Sequence, residues 1–294
     1  MRKVSEYLVA YDLKTIRSIL GLSQEMLADA LQTSQENIAL CELGKSFPST
    51  ELLERIYSFS YREGIRLNRL KEMMWKESLQ QSHRLLFHGS KNAIKGPIDV
   101  RFGRRSNDFG QGFYAGENYE QAAAFVTSFE NSSVYYLDFD PQGLIEKRYG
   151  VDQSWMLTIA YYRGALKQYE NHPMVMKLVR ESRCCDYVIA PIADNQMYQM
   201  IRSFIDGEIT DEQCKHCLAA TNLGAQYVFL NERAASRPRV VERCYLPFNE
   251  RKYYAQIREE QVRLGSDKVK LARIQYRGKG KYIDELLKDT EALA

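Results

Sequence analysis

The chain changes texture at Arg84, and that change constrains its fold more than any other feature. Before Arg84 the apolar residues keep helical spacing. After it, runs rich in β-branched and aromatic residues alternate with helical stretches. A chain divided in this way is expected to be multidomain, with an all-α bundle followed by an α/β or α+β domain.

In the helical portion, Leu13 to Leu20 forms one helix. Ser23 can cap a second that sets Leu27, Ala28 and Leu31 on one face. After the short Gln32-Thr33 turn, Ser34 can cap a third, with Ile38 and Leu43 inward and Gly44 as its stop. Pro48-Ser49 opens a fourth, and residues 62–80 read as a longer polar helix ending in a linker. Beyond Arg84, the runs RLLFHGS, SSVYYLDFD, CDYVIAPIA, AQYVFLN and RVVERCYL are strand-like. Helical stretches are expected at about 118–128, 152–182, 195–206 and 211–220. The tail after Pro247 is charged and helical in pattern, with a turn at 277–281. The expected domains are 1–80, 84–246 and a C-terminal extension over 247–294.

Bulk properties exclude several classes. Hydrophobic content of 45%, charged content of 27% and a net charge of +3 are those of an ordinary globular protein. No apolar run approaches the ~20 residues of a membrane span, so no membrane partner is expected. The segment MRKVSEYLVAYD has no apolar leader core. Six cysteines in 294 residues do not make a disulfide framework, which points to the cytoplasm. Cys184 and Cys185 read as small buried hydrophobes. Cys214, His216 and Cys217 have the spacing of half a zinc site, but the other half is missing, so no metal is expected.

One stretch asks for a chemical explanation. In FGQGFYAGENYEQAAAFV (109–126), Gly110 and Gly112 permit a tight bend or close approach to a ligand. Phe113 and Tyr114 follow, and Asn118 with Gln121 suits a capping box. The segment is either a wall of a small-molecule pocket or a turn packing two core aromatics.

Two resemblances bear on function. Residues 16–56, with LGLSQ, LADAL, SQENIALCELGKS and the following Pro-Ser, resemble the Xre/lambda-repressor helix-turn-helix family. The resemblance implies that Ser34, Gln35 and Asn37 face base edges, while Gln24 and Lys45 touch phosphates. Residues 1–80 carry eleven Lys/Arg and eleven Asp/Glu, and Glu36 and Glu42 lie on the reading helix itself. Phosphate contacts supply much of the affinity for DNA, so a homodimer is expected, and a docking module of the same fold is the alternative.

The second resemblance covers about 84–240. FHGS, DFGQGFY, EQAAAF, DYVIAPIAD and QYVFLNERA are similar to bacterial ADP-ribosyltransferase-like domains of the histidine–tyrosine–glutamate branch. These are often encoded near toxin–antitoxin or phage-defence genes. The resemblance implies an α+β fold and NAD as substrate, bound by His88, Gly89, Ser90, Tyr114 and Phe125, with His88, Tyr114 and Gln226 as the catalytic set. It also implies a toxin or defence role, with a cognate antitoxin as partner.

The third position departs from the branch, because Gln226 stands where glutamate is usual. An amide hydrogen-bonds but cannot act as a general base, so mono-transfer is expected rather than polymer synthesis. Gln226→Glu is expected to keep transfer or raise hydrolysis. Glu232, six residues along the strand and roughly 20 Å away, is no substitute. Asp186, Asp194 and Asn195 read as capping and loop-fixing groups. The alternatives are a transcription regulator whose second domain binds NAD or ADP-ribose without reaction, and an NAD glycohydrolase.

Overall fold

A computed structural model describes residues 7–220 and 223–291. The N-terminal segment read as lacking a leader falls partly on residues 1–6, outside the described residues. The chain begins with helices α1 (Val9–Leu20), α2 (Gln24–Ala30), α3 (Gln35–Glu42), α4 (Thr50–Arg62) and α5 (Leu67–Ser78). A mixed region follows: β1 (Arg84–Ser90), β2 (Phe113–Gly116), α6 (Tyr119–Phe125), β3 (Ser133–Phe139), β4 (Glu146–Arg148), α7 (Gln153–Tyr162) and α8 (Pro173–Arg183). It continues with β5 (Tyr187–Pro191), α9 (Asn195–Ile205), α10 (Asp211–Ala219), β6 (Ala225–Phe229), α11 (Glu232–Ala235) and β7 (Arg239–Tyr245). Two helices close the chain, α12 (Phe248–Gln275) and α13 (Ile283–Glu291). No helix among the described residues is long and apolar enough to cross a membrane.

The helix starts follow the capping chemistry. The hydroxyls of Ser23, Ser34 and Ser49 accept from the backbone N–H of Met26, Asn37 and Leu52, satisfying donors that a helix start leaves open. Asp194 caps α9 in the same way through Met197 N–H. Asn118 does stand at the N-cap of α6, but its side chain makes no cap bond. Three other expectations need correction. Leu43 points outward, 64% exposed, because it is the C-cap of α3 and its backbone already turns toward Gly44. The stretch 62–80 is not one helix: Gly64, at φ +84°, ends α4 before α5 begins. The stretch 152–182 likewise breaks at Gly164 (φ +82°) and restarts at Pro173, the first residue of α8.

The chain divides into two compact units. The first holds residues up to Gly96, then 118–140 and 239–258; the second holds 97–117, 141–238 and the chain from 259 onward. In the first unit β1, β3 and β7 form an antiparallel ladder, with His88 opposite Tyr135 and Tyr135 opposite Arg243. The core of the helical region also takes in Tyr245 of β7 beside Leu13, Ile16, Leu27, Ile38 and Ile56. In the second unit β4 runs parallel to β5, β5 antiparallel to β6, and β6 antiparallel to β2. Its core gathers Trp155, Ile159, Val188, Phe204 and Val228, closed by Ile283, Leu286 and Leu287 of α13. β4, with the sequence Glu-Lys-Arg, has no apolar alternation, and its strand state comes from pairing with β5.

Candidate functional site

The glycine-flanked segment has local reasons for its residues. Gly110 takes φ +73°, and a Cβ there would come within 2.8 Å of the Tyr162 ring. A Cβ on Gly112 would come equally close to the Phe229 carbonyl oxygen, so β2 could not lie where it does beside β6. Tyr114 turns its hydroxyl back onto the bend. It donates to the Gly110 carbonyl at 2.8 Å and accepts from Phe109 N–H at 3.1 Å. Burial holds that hydroxyl far above the ordinary tyrosine pKa, so Tyr114 serves as a neutral hydrogen-bonding group.

Gln226 lies on β6, directly across from Gly116 of β2, and is only 7% exposed. Its Nε2 donates to Asp108 Oδ2 at 2.8 Å and to the Pro191 carbonyl at 3.1 Å. Both neighbours are acceptors, which assigns the amide: the NH2 group must face them, and the carbonyl Oε1 must point the other way. Asp108, immediately before the glycine bend, is 5% exposed. It receives Arg163 Nε at 2.8 Å and the terminal nitrogen of the same guanidinium at 2.5 Å, both on Oδ1. Ala193 N–H approaches its Oδ2 at 3.4 Å. Arg163 in turn donates to the Ala193 carbonyl at 2.8 Å.

This network explains the departure at position 226. A glutamate there would put a second carboxylate at hydrogen-bond distance from Asp108, and two such groups in a buried site cannot both ionise without a large cost. An amide is the group of the same shape that supplies a proton to Asp108. The expectation that Gln226→Glu is tolerated therefore meets a physical obstacle. Glu232 is not on a strand at all: β6 ends at Phe229, and Glu232 opens α11 behind the Asn231 cap. Sequence reading missed Asp108 and Arg163. Asp108 beside the glycine bend was the available signal, but its partners stand 55 and 118 residues away.

His88, Gly89, Ser90 and Phe125 belong to the first unit, and Tyr114 and Gln226 to the second. Within the first unit, Gly89 is required by packing, since a Cβ there would collide with the Ala122 carbonyl oxygen of α6. The Ser90 hydroxyl donates to the Asn92 carbonyl at 2.8 Å and tightens the turn after β1. His88 is half-buried on β1. Phe125, the last residue of α6, is 56% exposed, and the Arg258 guanidinium lies 5.9 Å from its ring centre.

In the second unit Asp186 acts as a loop anchor, accepting from Ile145 N–H, Asn231 and Arg233. The backbone and amide bonds, aided by Arg233, hold its carboxyl below the usual range. Cys214 and Cys217 are buried on α10, while His216 stacks on Tyr276 with ring centres 3.5 Å apart. Among the described residues no cluster of His, Cys, Asp and Glu is arranged to hold a metal.

On the helical side, Ser34, Gln35 and Lys45 are exposed and Asn37 is half-buried. Two of these side chains already have local work, because Ser34 caps α3 and Asn37 donates to Thr33 at 3.0 Å. Glu42 is withdrawn from the surface, 4% exposed, in a fork with Arg17 (2.6 and 3.0 Å) and in a 2.8 Å bond from Gln24. Burial opposes the Glu42 charge, but Arg17 and Gln24 outweigh it and hold the carboxyl below its ordinary range. Gln24 therefore orders Glu42 within the helical bundle.

The family model described as "Protein of unknown function (DUF3990)" matches residues 85–238, just over half of the chain. The chain belongs to this family. Its matched stretch contains both the glycine bend and the Asp108–Arg163–Gln226 network, and it begins after α5. No curated protein matches the chain, and neither does any solved structure.

Proposed function

We propose that the chain is an NAD-dependent mono-ADP-ribosyltransferase carrying a DNA-binding helical module, and that it acts as a bacterial toxin or defence effector. The observation that carries the reading is the fixed Gln226 amide. Its NH2 is held by Asp108 and Pro191, which leaves Oε1 as an oriented acceptor for a ribose hydroxyl. Transfer breaks the C1′–N bond of the nicotinamide ribose, releases neutral nicotinamide and joins C1′ to an acceptor whose proton passes to solvent. The ribose becomes cationic on the way, so dipoles fixed in advance are worth more than mobile ones. Gln226 offers such a dipole, and Tyr114 of the same unit an aromatic surface for nicotinamide, where stacking adds ~0.5–1.5 kcal/mol.

A second reading is favoured by one specific feature. The charge of Asp108, the carboxylate that touches Gln226, is matched by Arg163 and is not free to stabilise the cation. A regulator that binds NAD without transfer fits that balance.

Calorimetry with NAD, together with nicotinamide release in the presence of lysate, separates the two. Saturable binding with release supports transfer, and binding without release supports the sensor. No binding at millimolar NAD would remove both. Tyr114→Ala is the informative variant, because it removes the ring proposed to lie against nicotinamide. It should weaken NAD by about tenfold, the equivalent of ~1.4 kcal/mol.

For the helical module, Gln35 and Lys45 are the exposed groups that support DNA contact, and Lys14 adds a further cation. With so few phosphate contacts per copy, binding calls for a homodimer and half-sites about one helical turn apart.

A further inference from the structure

A cavity of about 920 Å³ opens in the first unit, between α1, the segment after α3, and α5. It is at the large end of the ~300–1,000 Å³ that enclose small ligands. Three features of its lining are unusual together.

The first is buried charge. Lys71 and Glu242, 5% and 4% exposed, both line the cavity. Lys71 Nζ lies 2.8 Å from Asp12 Oδ2 and 3.1 Å from Glu242 Oε1. Two bonds leave a third proton on the ammonium, and among the described residues Glu242 Oε2 is engaged only by a long 3.4 Å contact from Trp75 Nε1. The inner wall thus presents a donor beside an acceptor.

The second is uncovered aromatic surface. Tyr11 and Phe47 are 53% and 51% exposed, and both line this cavity with Trp75. Large exposed apolar side chains gathered on one concavity mark a binding surface rather than the scatter of an ordinary exterior. The third is charge at the outer edge. Lys14 and Lys45 are exposed lining residues, and neither has an ion-pair partner among the described residues.

A donor–acceptor pair at the inner wall suits the edge of a heteroaromatic base. Aromatic side walls suit its faces, and two free ammonium groups at the mouth suit a phosphate. We propose that this cavity binds a nucleoside phosphate, with the base toward Lys71 and Glu242 and the phosphate on Lys14 and Lys45. The site is separate from the NAD reading above and does not depend on it.

The test uses the full chain and the four common nucleoside 5′-monophosphates, with adenosine as the neutral probe. Binding is followed by calorimetry and by tryptophan fluorescence. Trp75 lines the cavity, while Trp155 is fully buried in the other unit, so quenching reports occupancy here. At least one monophosphate should bind saturably and quench. Adenosine should bind at least tenfold more weakly than its monophosphate. Lys14→Ser with Lys45→Ser should cost about tenfold in affinity for the monophosphate, and Phe47→Ser should weaken both phosphate and nucleoside. These are exposed positions, so the variants fold. The proposal is overturned if no monophosphate quenches saturably at millimolar concentration. It is also overturned if the lysine double variant loses DNA binding yet keeps the monophosphate, which would assign those cations to DNA alone. A Gln226→Ala variant that binds the monophosphate unchanged keeps this site distinct from the proposed NAD site.

Discussion

In the first unit Asp12 and Glu242 share one lysine, whereas in the second a guanidinium, an amide and a backbone N–H all converge on Asp108. The consequences differ. Asp12 accepts from Lys71 and Tyr57 through Oδ2, but its buried Oδ1 has no hydrogen-bond partner among the described residues. Burial raises the Glu242 carboxyl above its ordinary range, with Lys71 opposing. Burial likewise works against the charge on Lys71, but the Asp12 and Glu242 carboxylates outweigh it and hold the ammonium above the ordinary lysine value. The cluster is under-supplied with donors, and it borders a cavity. Both oxygens of Asp108, by contrast, are engaged. A buried polar group with all partners met fixes one geometry, while a group left short is where a ligand or proton can bind.

The largest effect should come from removing the shared cation. Lys71→Met leaves two buried carboxylates facing each other, and breaking such a pair typically costs ~3–5 kcal/mol. Urea unfolding read at Trp75, the tryptophan of the first unit, should shift by that amount. A loss below about 1 kcal/mol would mean the carboxylates relieve themselves by protonation, and the contrast between the units would fail.

Next comes pH. Glu250, buried on α12 and bonded by Tyr119 and Asn68 at 2.9 Å each, is pushed by burial up to about 7 from its ordinary 4.5. The folded state thus binds this proton more tightly than the unfolded one. Its contribution is fully present below pH 4.5 and is lost as pH rises through about 7. The difference corresponds to roughly 3 kcal/mol across that window. Glu250→Gln should flatten the pH dependence of the first unit's unfolding. An unchanged slope would locate the titration in another group, with Glu242 the next to test.

The smallest effect sharpens the comparison from the other side. Asp108→Asn and Gln226→Glu should each destabilise the second unit by ~1–3 kcal/mol, because each mismatches a buried donor or acceptor. Combined, they restore a donor facing an acceptor with the roles exchanged, so the double variant should recover part of the loss. A double-mutant cycle read at Trp155 measures that coupling. Strict additivity would mean that the 2.8 Å contact carries no energy.

Much of the fold was legible because its signals are local. The serines before α2, α3 and α4 cap helices through backbone groups three residues on. The apolar runs of β1, β3, β5, β6 and β7 declare themselves by residue type, and Asp194 and Asp186 carry out the capping and loop-fixing read from their positions. The glycines of the FGQGFY bend also announced a special backbone, though the need at Gly112 comes from Phe229, a residue far along the chain.

Tertiary structure decided the rest. Whether Leu43 faces inward depended on where α3 stops, and β4 exists only because β5 lies beside it. The meaning of Gln226 could not be read from its neighbours in sequence. By the resemblance alone it stands where a glutamate is usual and reads as a lost charge. Beside Asp108 it is an amide that the site requires, because a hydrogen bond needs one donor, and only folding brings the two residues within reach. The same holds for Lys71, which reads as a solvated charge on a polar helix until Asp12 and Glu242 enclose it. Periodicity and capping act over a few residues and are written in order along the chain. Charge pairing acts through space, so its outcome is fixed only when the chain has closed.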